Sequence, residues 1–344
     1  MLPHPPGTLR VVYLVQNPNS PSARFRAVEM AAHLLGHGIA AEVHAIPRHR
    51  GERKDAFRTA ASYDVVVLAR KLLVAGDLRL LRRSARVLIY DFDDAVMYRD
   101  PRRGRPRSLV RRLRFRNVVR NADAIIAGND VLAEEARRRS EAPVFIVPTA
   151  VDTQRYRATH RNVHPEVSLG WLGSKGSIWY FDRFADTWQH LSEQIGGAIR
   201  FRVVCDVPPD WRSPSVDFTP WSPEAELEAL ASFDIGLMPL TDDPFSRGKC
   251  ACKILQYFAA GLPVVASPVG MNRDVVTPGV TGFLAESPAE WVGHVRQLVE
   301  DRPLRDRLGA AARKFVAGAF DVRTVAGKLA EILKGTGRCR SDAP

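Results

Sequence analysis

The sequence has no apolar run approaching the roughly 18 to 20 residues that a membrane-spanning helix needs. The stretch from Met1 to Arg10 also lacks the apolar segment of a secretory signal. Cysteine is scarce and scattered in a long chain, so we expect a cytoplasmic protein with reduced thiols. Cys250 and Cys252 have no companion Cys/His pair, which favours structural roles over a metal site. The four cysteines are Cys205, Cys250, Cys252 and Cys339.

Acidic residues are too few to balance the basic ones, and the formal net charge is +12. The excess is concentrated between Arg99 and Arg120, where ten arginines accompany one aspartate. This arginine-rich run has three interpretations. It could be a solvated helix face, a contact with nucleic acid, or a contact with an anionic membrane surface or lipid-phosphate acceptor. Near an anionic leaflet each basic residue contributes about 1 kcal/mol. Phe115 is the one aromatic residue of the run, so a stacking platform for single strands is missing. We therefore favour the membrane surface and expect no nucleic-acid partner.

Length and composition suit two domains, since 344 residues with 45% hydrophobic content can form two cores. Short apolar runs, rich in β-branched residues, alternate with helical stretches. Such runs predict strands that are covered on both faces, and the alternation predicts right-handed βαβ units with parallel sheets. The fold class is therefore α/β, with two Rossmann-like doubly wound domains. The predicted strands are Val11–Val15, Ala41–Ala45, Val65–Leu68, Val87–Tyr90, Ala124–Ile126, Val144–Val147, Ser168–Leu172, Ile199–Val204, Val216–Phe218, Ile235–Met238, Val264–Ala266 and Phe283–Leu284.

The domain boundary is expected in the polar, proline-containing stretch Thr149–Glu166. This gives an N-terminal domain over residues 1–155 and a C-terminal domain over 156–320, with a final helix at about 321–336 that can pack back on the first domain. Ligands of doubly wound sheets bind at the carboxyl ends of the strands, at the topological switch point. A cleft between two facing domains is therefore the expected site.

The most informative stretch runs from Asp243 to Asn272. Its composition predicts a helix from about Cys250 to Ala260, which ends at Gly261. At 100° per residue, one face of this helix carries two lysines and an amide near the helix N-terminus. Lysines there are unfavourable for the helix itself, but they suit a bound diphosphate. The alternative is two surface lysines on an amphipathic helix. The three residues are Lys249, Lys253 and Gln256.

A glycine-containing loop after the first strand of the C-terminal domain supports this hypothesis. The loop contains Gly173 and Gly176 and also Ser174 and Lys175. Glycines that follow a strand let the backbone approach a phosphate. The spacing matches neither a P-loop nor the dinucleotide-binding fingerprint.

Three stretches closely resemble the C-terminal, donor-binding half of the family 4 glycosyltransferases. They read DIGLMPL from Asp234, KILQYFAAGLPVVASPVGMN from Lys253 and WLGSKG from Trp171. The resemblance implies a GT-B fold, a nucleoside-diphosphate sugar as donor, and transfer with retention of configuration, with neither a metal nor another cofactor. It also implies a saccharide or lipid-linked acceptor in polysaccharide or cell-envelope glycan synthesis. Such an enzyme would be cytoplasmic or peripheral on the inner face of the membrane.

The sequence departs from the family at the two glutamates that it usually carries on this helix, where Gly248 and Gln256 stand here. The usual arginine after the loop glycine is replaced by Ser174. We expect Lys249 and Lys253 to hold the leaving diphosphate, with Lys175 or Arg247 assisting. Trp221 follows a predicted strand, and it either stacks on the nucleobase or belongs to the core. The implied donor-binding residues are Gly173, Ser174, Lys175, Trp221, Arg247, Lys249, Lys253, Gln256 and Asn272.

The N-terminal half carries an acidic cluster, Asp91, Asp93 and Asp94, directly after a predicted strand. Asp93 or Asp94 is the candidate to orient or deprotonate an acceptor hydroxyl. The alternatives are helix capping with arginine pairing, and a D-x-D metal site, which we do not favour because the donor signature lies in the other half. In the loop after the first strand, Arg24 and Arg26 are candidates to meet an anionic acceptor group.

Two other functions remain open from the sequence. One is a non-catalytic GT-B protein that binds a nucleotide sugar, because both family glutamates are missing. The other is a GT-B nucleotide-sugar epimerase, which needs acid and base residues that the sequence does not clearly provide.

Overall fold

The computed structural model describes residues 7–157, 165–211 and 216–338. Cys339, the tail to Pro344 and residues 158–164 of the predicted boundary lie outside the described residues. The chain forms two compact units. The first comprises the described residues within Met1–Ala150, Asp243–Cys250 and Val322–Pro344, and the second those within Val151–Asp242 and Ala251–Asp321.

The first unit contains a six-stranded sheet in the order β2-β1-β3-β4-β5-β6. All of its strand pairs are parallel. Val65–Ala69 and Val87–Phe92 are almost entirely buried, as expected for strands that helices cover on both faces. The strands are β1 Leu9–Val15, β2 Ile39–Ala45, β3 Val65–Ala69, β4 Val87–Phe92, β5 Ala124–Ala127 and β6 Val144–Ile146.

The second unit contains a six-stranded sheet in the order β12-β11-β10-β7-β8-β9, again with parallel pairs throughout. The two doubly wound α/β sheets that the apolar runs predicted are therefore confirmed. The strands are β7 Val167–Leu172, β8 Ile199–Cys205, β9 Val216–Pro220, β10 Ile235–Met238, β11 Val264–Ala266 and β12 Gly282–Leu284.

Helices connect the strands, and several begin at a side-chain cap. Ser222 accepts a hydrogen bond at the start of one helix, and Ser287 with Glu290 forms a capping box at another. The helices of the first unit are α1 Pro21–Ala23, α2 Glu29–Leu34, α3 Arg50–Thr59, α4 Ala75–Ser84, α5 Leu109–Asn121, α6 Asp130–Arg137 and, at the end of the chain, α14 Val322–Arg338. Those of the second unit are α7 Ile178–Asp182, α8 Ala185–Ile195, α9 Pro223–Ser232, α10 Cys252–Ala259, α11 Asn272–Val275, α12 Pro288–Glu300 and α13 Arg302–Ala319. Short 3-10 or π segments occur at Arg24–Val28, Leu35–His37, Ala60–Ser62, Pro101–Arg103, Gly196–Ala198 and Ser246–Gly248.

Each unit has its own hydrophobic core. In the first, the C-terminal helix α14 contributes six buried side chains, among them Val325 and Leu333, to the cluster formed by β1, β3 and β4. In the second, the core is aromatic: Trp188 stacks on Phe181 with ring centroids 5.4 Å apart and meets Trp291 edge-on at 5.3 Å.

The short segment Asp243–Cys250 belongs to the first unit, although the sequence places it in the C-terminal domain. Asn129 explains this grouping, because its Nδ2 donates to the carbonyls of Gly248 and Lys249, both at 3.2 Å. The Cys250 thiol donates to the carbonyl of Asp93 at 3.2 Å. Contacts between residues so distant in sequence leave no local signal.

None of the helices within the described ranges combines the length and the apolar character that crossing a bilayer requires.

Candidate functional site

The second sheet has its topological switch point between β7 and β10. From β7 the chain proceeds through β8 to β9 on one side, and β10, β11 and β12 follow on the other. Loops that leave adjacent strands in opposite directions open a crevice at the carboxyl end of the sheet. The loop after β7 begins at Gly173, and β10 leads toward α10, so both predicted donor-binding segments flank this point.

Gly173 is required by the packing of this loop. A Cβ atom there would lie 1.9 Å from the Trp171 ring, which is fully buried beneath it. The loop is tightened by the backbone N–H of Ser174, which donates to Ser177 Oγ at 3.0 Å. The N–H of Lys175 donates to Asp206 at 3.0 Å, and the Lys175 side chain is exposed. The backbone of the loop is thus held in place by these two hydrogen bonds.

Helix α10 begins at Cys252 rather than at Cys250, because Ala251 adopts a left-handed conformation with φ 49° and ψ 22°. Lys249 is therefore not part of the helix, and the predicted common face of Lys249, Lys253 and Gln256 is wrong. Alanine rarely adopts this conformation, so the later start of the helix could not be predicted from the sequence.

Lys253 lies in the first turn of α10, and its ammonium stands 5.3 Å from the centroid of the Trp171 ring. Burial raises the pKa of the Cys205 thiol at the end of β8, and the positive charge of Lys253 opposes that rise. These two relations place the ammonium near the carboxyl ends of β7 and β8. Lys253 thus places a positive charge beside β7, one of the two strands at the switch point.

Gln256 and Asn272 are almost fully buried in the second unit, at 4% and 1% exposure. Asn272 donates from Nδ2 to the carbonyl of Ser267 at 3.0 Å. The Oδ1 of Asn272 and the Nε2 of Gln256 make no hydrogen bond with any residue in the described parts of the chain. A buried polar atom without a partner costs about 1–3 kcal/mol. Both atoms are therefore candidates for hydrogen bonds to a ligand.

Trp221 belongs to a polar network at the start of α9. Its Nε1 donates to Glu226 at 3.0 Å, and the buried Glu226 also accepts from the hydroxyl of Tyr156 at 2.8 Å. These contacts fix the half-buried indole ring in place.

In the first unit, Arg26 and Asp91 form a buried ion pair. Nε of Arg26 donates to both carboxylate oxygens, at 3.0 and 3.2 Å, and Nη1 donates to the carbonyl of Val147 at 3.0 Å. Burial raises the pKa of Asp91, and the adjacent guanidinium opposes this rise. Arg26, a predicted acceptor-side residue, is thus occupied by a structural partner.

Asp93 and Asp94 are also held by partners. Asp93 accepts from the Ser22 hydroxyl at 2.7 Å, and Arg70 pairs with both aspartates. Arg70 follows β3 in a left-handed conformation with φ 63°, and the charge of Asp94 raises its pKa. Lys249 lies 3.8 Å from Asp94. The lysine that was predicted to hold a diphosphate therefore belongs to the acidic cluster of the first unit.

Arg247, Gly248 and Arg24 were also considered from the sequence. Arg247 is exposed in the turn Ser246–Gly248. A Cβ at Gly248 would lie 2.7 Å from that of Ala95, so packing leaves no room for a side chain there. Arg24 lies 3.8 Å from Glu29 and covers the ring of its neighbour Phe25.

A cavity of about 620 Å³ lies in the first unit, at the carboxyl ends of β1, β3 and β4. These strands include the switch point of the first sheet, between β1 and β3. Asp93 and Arg26, two of the candidate residues, line it together with Asp91, whereas Asp94 and Arg24 are not among its lining residues. Sequence reasoning missed Ser22, Arg70 and Lys71, and it did not assign Arg111 and Arg114 of the basic run to this site.

Within the described ranges, no group of three or more His, Cys, Asp or Glu side chains is arranged to hold a metal ion. The three aspartates instead contact Arg26, Ser22, Arg70 and Lys249.

The sequence model of a family described as "Glycosyl transferases group 1" matches residues 167–301, which cover the sheet of the second unit and α10. Residues 167–301 are therefore similar to glycosyl transferases group 1. The resemblance that the sequence carries in DIGLMPL, in WLGSKG and in the stretch from Lys253 is therefore confirmed.

Two curated proteins with related sequences match part of the chain. A GDP-mannose-dependent alpha-mannosyltransferase of Mycobacterium tuberculosis (strain CDC 1551 / Oshkosh) is 29% identical over 218 residues, which is 59% of this chain and 54% of that protein. A D-inositol 3-phosphate glycosyltransferase of Corynebacterium diphtheriae is 31% identical over 115 residues, which is 33% of this chain and 26% of that protein. The chain thus spans about half or less of the curated relatives it matches.

Solved structures share the fold over nearly the whole chain. The crystal structure of Anabaena Alr3699/HepE in complex with UDP and glucose superposes with a TM-score of 0.71 at 16% identity. The likeness covers 95% of this chain and all of that one. The two-domain GT-B fold is therefore confirmed.

Proposed function

We propose that the protein is a glycosyltransferase that moves a sugar from a nucleoside-diphosphate sugar to a saccharide or lipid-linked acceptor. The observation that carries the proposal is the family match over residues 167–301 together with the position of Lys253 at the switch point of the same unit. The mycobacterial relative uses GDP-mannose, and another crystal structure of Anabaena Alr3699/HepE contains UDP-glucose, so these two nucleotide sugars are the first donors to test.

The chemical step requires little from the protein beyond charge stabilisation and orientation. As the bond between the sugar and the diphosphate breaks, negative charge grows on the leaving diphosphate. Lys253 and the backbone amides of the Gly173 loop are the groups proposed to stabilise it. Such pre-oriented donors contribute about 2.7–4 kcal/mol each to kcat. Retention of configuration is part of the proposal and rests on the family.

Metal independence is also part of the proposal. The diphosphate charge would be met by Lys253, Lys175 and backbone amides rather than by a bridging ion. The aspartates that could suggest a metal site, Asp91, Asp93 and Asp94, already form ion pairs with arginines of the first unit.

Asp93 is the proposed hydrogen-bond partner of the acceptor hydroxyl. It lines the first-unit cavity, and the Ser22 hydroxyl and Arg70 hold its carboxylate in position. A carboxylate fixed in this way can orient a hydroxyl and accept its proton as the new glycosidic bond forms.

Helix α5 is the proposed contact with an anionic membrane surface. Three aliphatic side chains of its first half are exposed, Leu109 at 70%, Val110 at 57% and Leu113 at 53%. Arg112 and Arg116 are exposed beside them. Apolar side chains flanked by arginines suit a helix that lies in the bilayer interface, and each arginine adds about 1 kcal/mol on an anionic leaflet.

A transfer assay tests the function. The protein is incubated with GDP-mannose or UDP-glucose and a panel of saccharide and lipid-linked acceptors in EDTA, and the products are identified by mass spectrometry. We expect one donor to be consumed in the presence of an acceptor, and Lys253→Gln to lower kcat by about a hundredfold or more. Lys54→Gln is the matched control, because Lys54 is an exposed lysine of α3. Binding of a nucleotide sugar without turnover of any donor would instead identify a non-catalytic binding protein.

A further inference from the structure

The first-unit cavity carries more positive than negative charge. Six cationic side chains line it, against three carboxylates: Arg26, Arg70, Lys71, Arg102, Arg111 and Arg114 against Asp91, Asp93 and Asp100. Each of these carboxylates forms an ion pair with an arginine that also lines the cavity. The pairs are Asp91 with Arg26, Asp93 with Arg70 and Asp100 with Arg102. The other cations that line the cavity are Lys71, Arg111 and Arg114.

These three side chains come from two elements that meet at the cavity. Lys71 follows the carboxyl end of β3, and Arg111 and Arg114 are one turn apart on α5. Nη1 of Arg111 donates to the carbonyl of Val96 at 2.9 Å, which holds the guanidinium at the cavity wall. Arg111 is thus held at the cavity wall by a hydrogen bond, and Lys71 and Arg114 line the same cavity.

Lys71 is electrostatically crowded. Burial lowers its pKa, and the neighbouring charges of Arg53 and Arg114 lower it further, whereas Asp77 acts in the opposite direction. Like charges held together around a cavity destabilise the empty site, and a bound anion removes this repulsion.

We propose that Lys71, Arg111 and Arg114 form a subsite for a phosphate group carried by the acceptor. The inference rests on the proposed function, and it narrows the acceptor of the transfer to a phosphorylated compound. A phosphate ester carries about −1.5 to −2 charges at neutral pH, which suits the excess of positive charge better than a single carboxylate does. Arginine binds phosphate oxygens in pairs, and lysine acts as a point charge beside them.

Asp93 and the phosphate subsite lie in the same cavity. An acceptor bound through its phosphate would therefore present a hydroxyl to Asp93. The subsite then determines which hydroxyl is glycosylated, because the phosphate fixes the orientation of the acceptor.

The test is calorimetric titration of the full chain with glycerol 3-phosphate, with inorganic phosphate as a second probe and glycerol as the uncharged comparison. We expect both phosphates to bind and glycerol not to bind. Lys71→Gln and Arg114→Gln should each weaken phosphate binding by about tenfold or more, as expected for a lost charged contact. Lys54→Gln and Arg79→Gln are matched controls, since both residues are exposed on helices of the same unit and neither lines the cavity.

Two results would overturn the subsite: phosphate affinity that is the same in both variants as in the wild type, or an equal loss in the control variants. Phosphatidic acid vesicles distinguish the sources of the phosphate. If glycerol 3-phosphate binds in solution, the phosphate belongs to a soluble ester. If only the vesicles bind, and the two variants bind them more weakly, the phosphate belongs to a lipid headgroup. Both outcomes support the subsite.

The experiment separates this inference from the proposed function, because it uses no nucleotide sugar. Phosphate binding that depends on Lys71 and Arg114, in a protein that transfers no sugar, would uphold the subsite and refute the enzyme. Transfer to an uncharged acceptor that is unaffected in both variants would uphold the enzyme and refute the subsite.

Discussion

At the scale of single residues, the pair of Arg26 and Asp91 is the clearest case of a charge that the fold depends on. Both side chains are buried, at 5% and 6% side-chain exposure. Asp91→Asn would leave the guanidinium buried without its counter-charge, and we expect a loss of about 3–5 kcal/mol in the free energy of unfolding. Urea denaturation measures this loss. Asp55→Asn breaks an exposed pair with Arg58 and should cost less than about 1 kcal/mol. Equal effects of the two substitutions would contradict the structural role.

Lys71 gives the proposed phosphate subsite a distinctive pH dependence. The second ionisation of a phosphate ester lies near pH 6, so affinity should rise between about pH 5 and 7. Burial, Arg53 and Arg114 hold the pKa of Lys71 below its usual value of 10.5, against Asp77. The ammonium therefore loses its proton at a lower pH than an ordinary lysine, and affinity should fall on the alkaline side. In Lys71→Arg this alkaline fall should disappear, because arginine stays charged. A fall that persists in Lys71→Arg would assign the pH dependence to another group.

At the scale of elements, α13 approaches the end of α10 so closely that only glycine fits at the contact. A Cβ at Gly309 would lie 2.1 Å from the carbonyl oxygen of Gly261. Gly309→Ala should lower the free energy of unfolding by about 1–3 kcal/mol. Gly318 lies in the same helix with open space around it, so Gly318→Ala should raise stability by about 0.5–1 kcal/mol. Thermal denaturation of the two variants compares them directly, and a shift of the same sign in both would refute the packing argument.

The elements were predicted from sequence more fully than the candidate site was. Each of the twelve predicted strands overlaps an observed strand, and the signal is clearest where burial on both faces gives a continuous apolar run, as in β3. The start of α10 was misplaced because it depends on the left-handed Ala251. The position of Lys249 was misplaced for a different reason: its partner Asp94 is distant in sequence, and neither residue alone predicts the other. The cationic lining of the cavity joins Lys71 to α5 and is nonlocal for the same reason.

At the scale of the whole molecule, the chain returns to its first unit at its end. Helix α14 places Leu333 in the core formed by β1 and β3. Leu333→Ala should destabilise the first unit by about 2–5 kcal/mol. Hydrogen exchange should accelerate in β1 and β3 but not in β7 and β8, since each unit has its own core. The exposed Glu331 on the same helix provides the control Glu331→Ala, for which no change is expected. Equal acceleration in both sheets would contradict the independence of the two cores.

The most direct test of the central claim is calorimetric titration of the full chain with UDP, GDP and ADP in the presence of EDTA. The claim is that a nucleoside diphosphate binds at the switch point of the second unit, where Lys253 provides a positive charge. We predict that one nucleoside diphosphate binds without metal, and that Lys253→Gln weakens its binding by about tenfold or more while Lys54→Gln does not. If none of the three binds, or if Lys253→Gln binds as tightly as the wild type, the claim is contradicted.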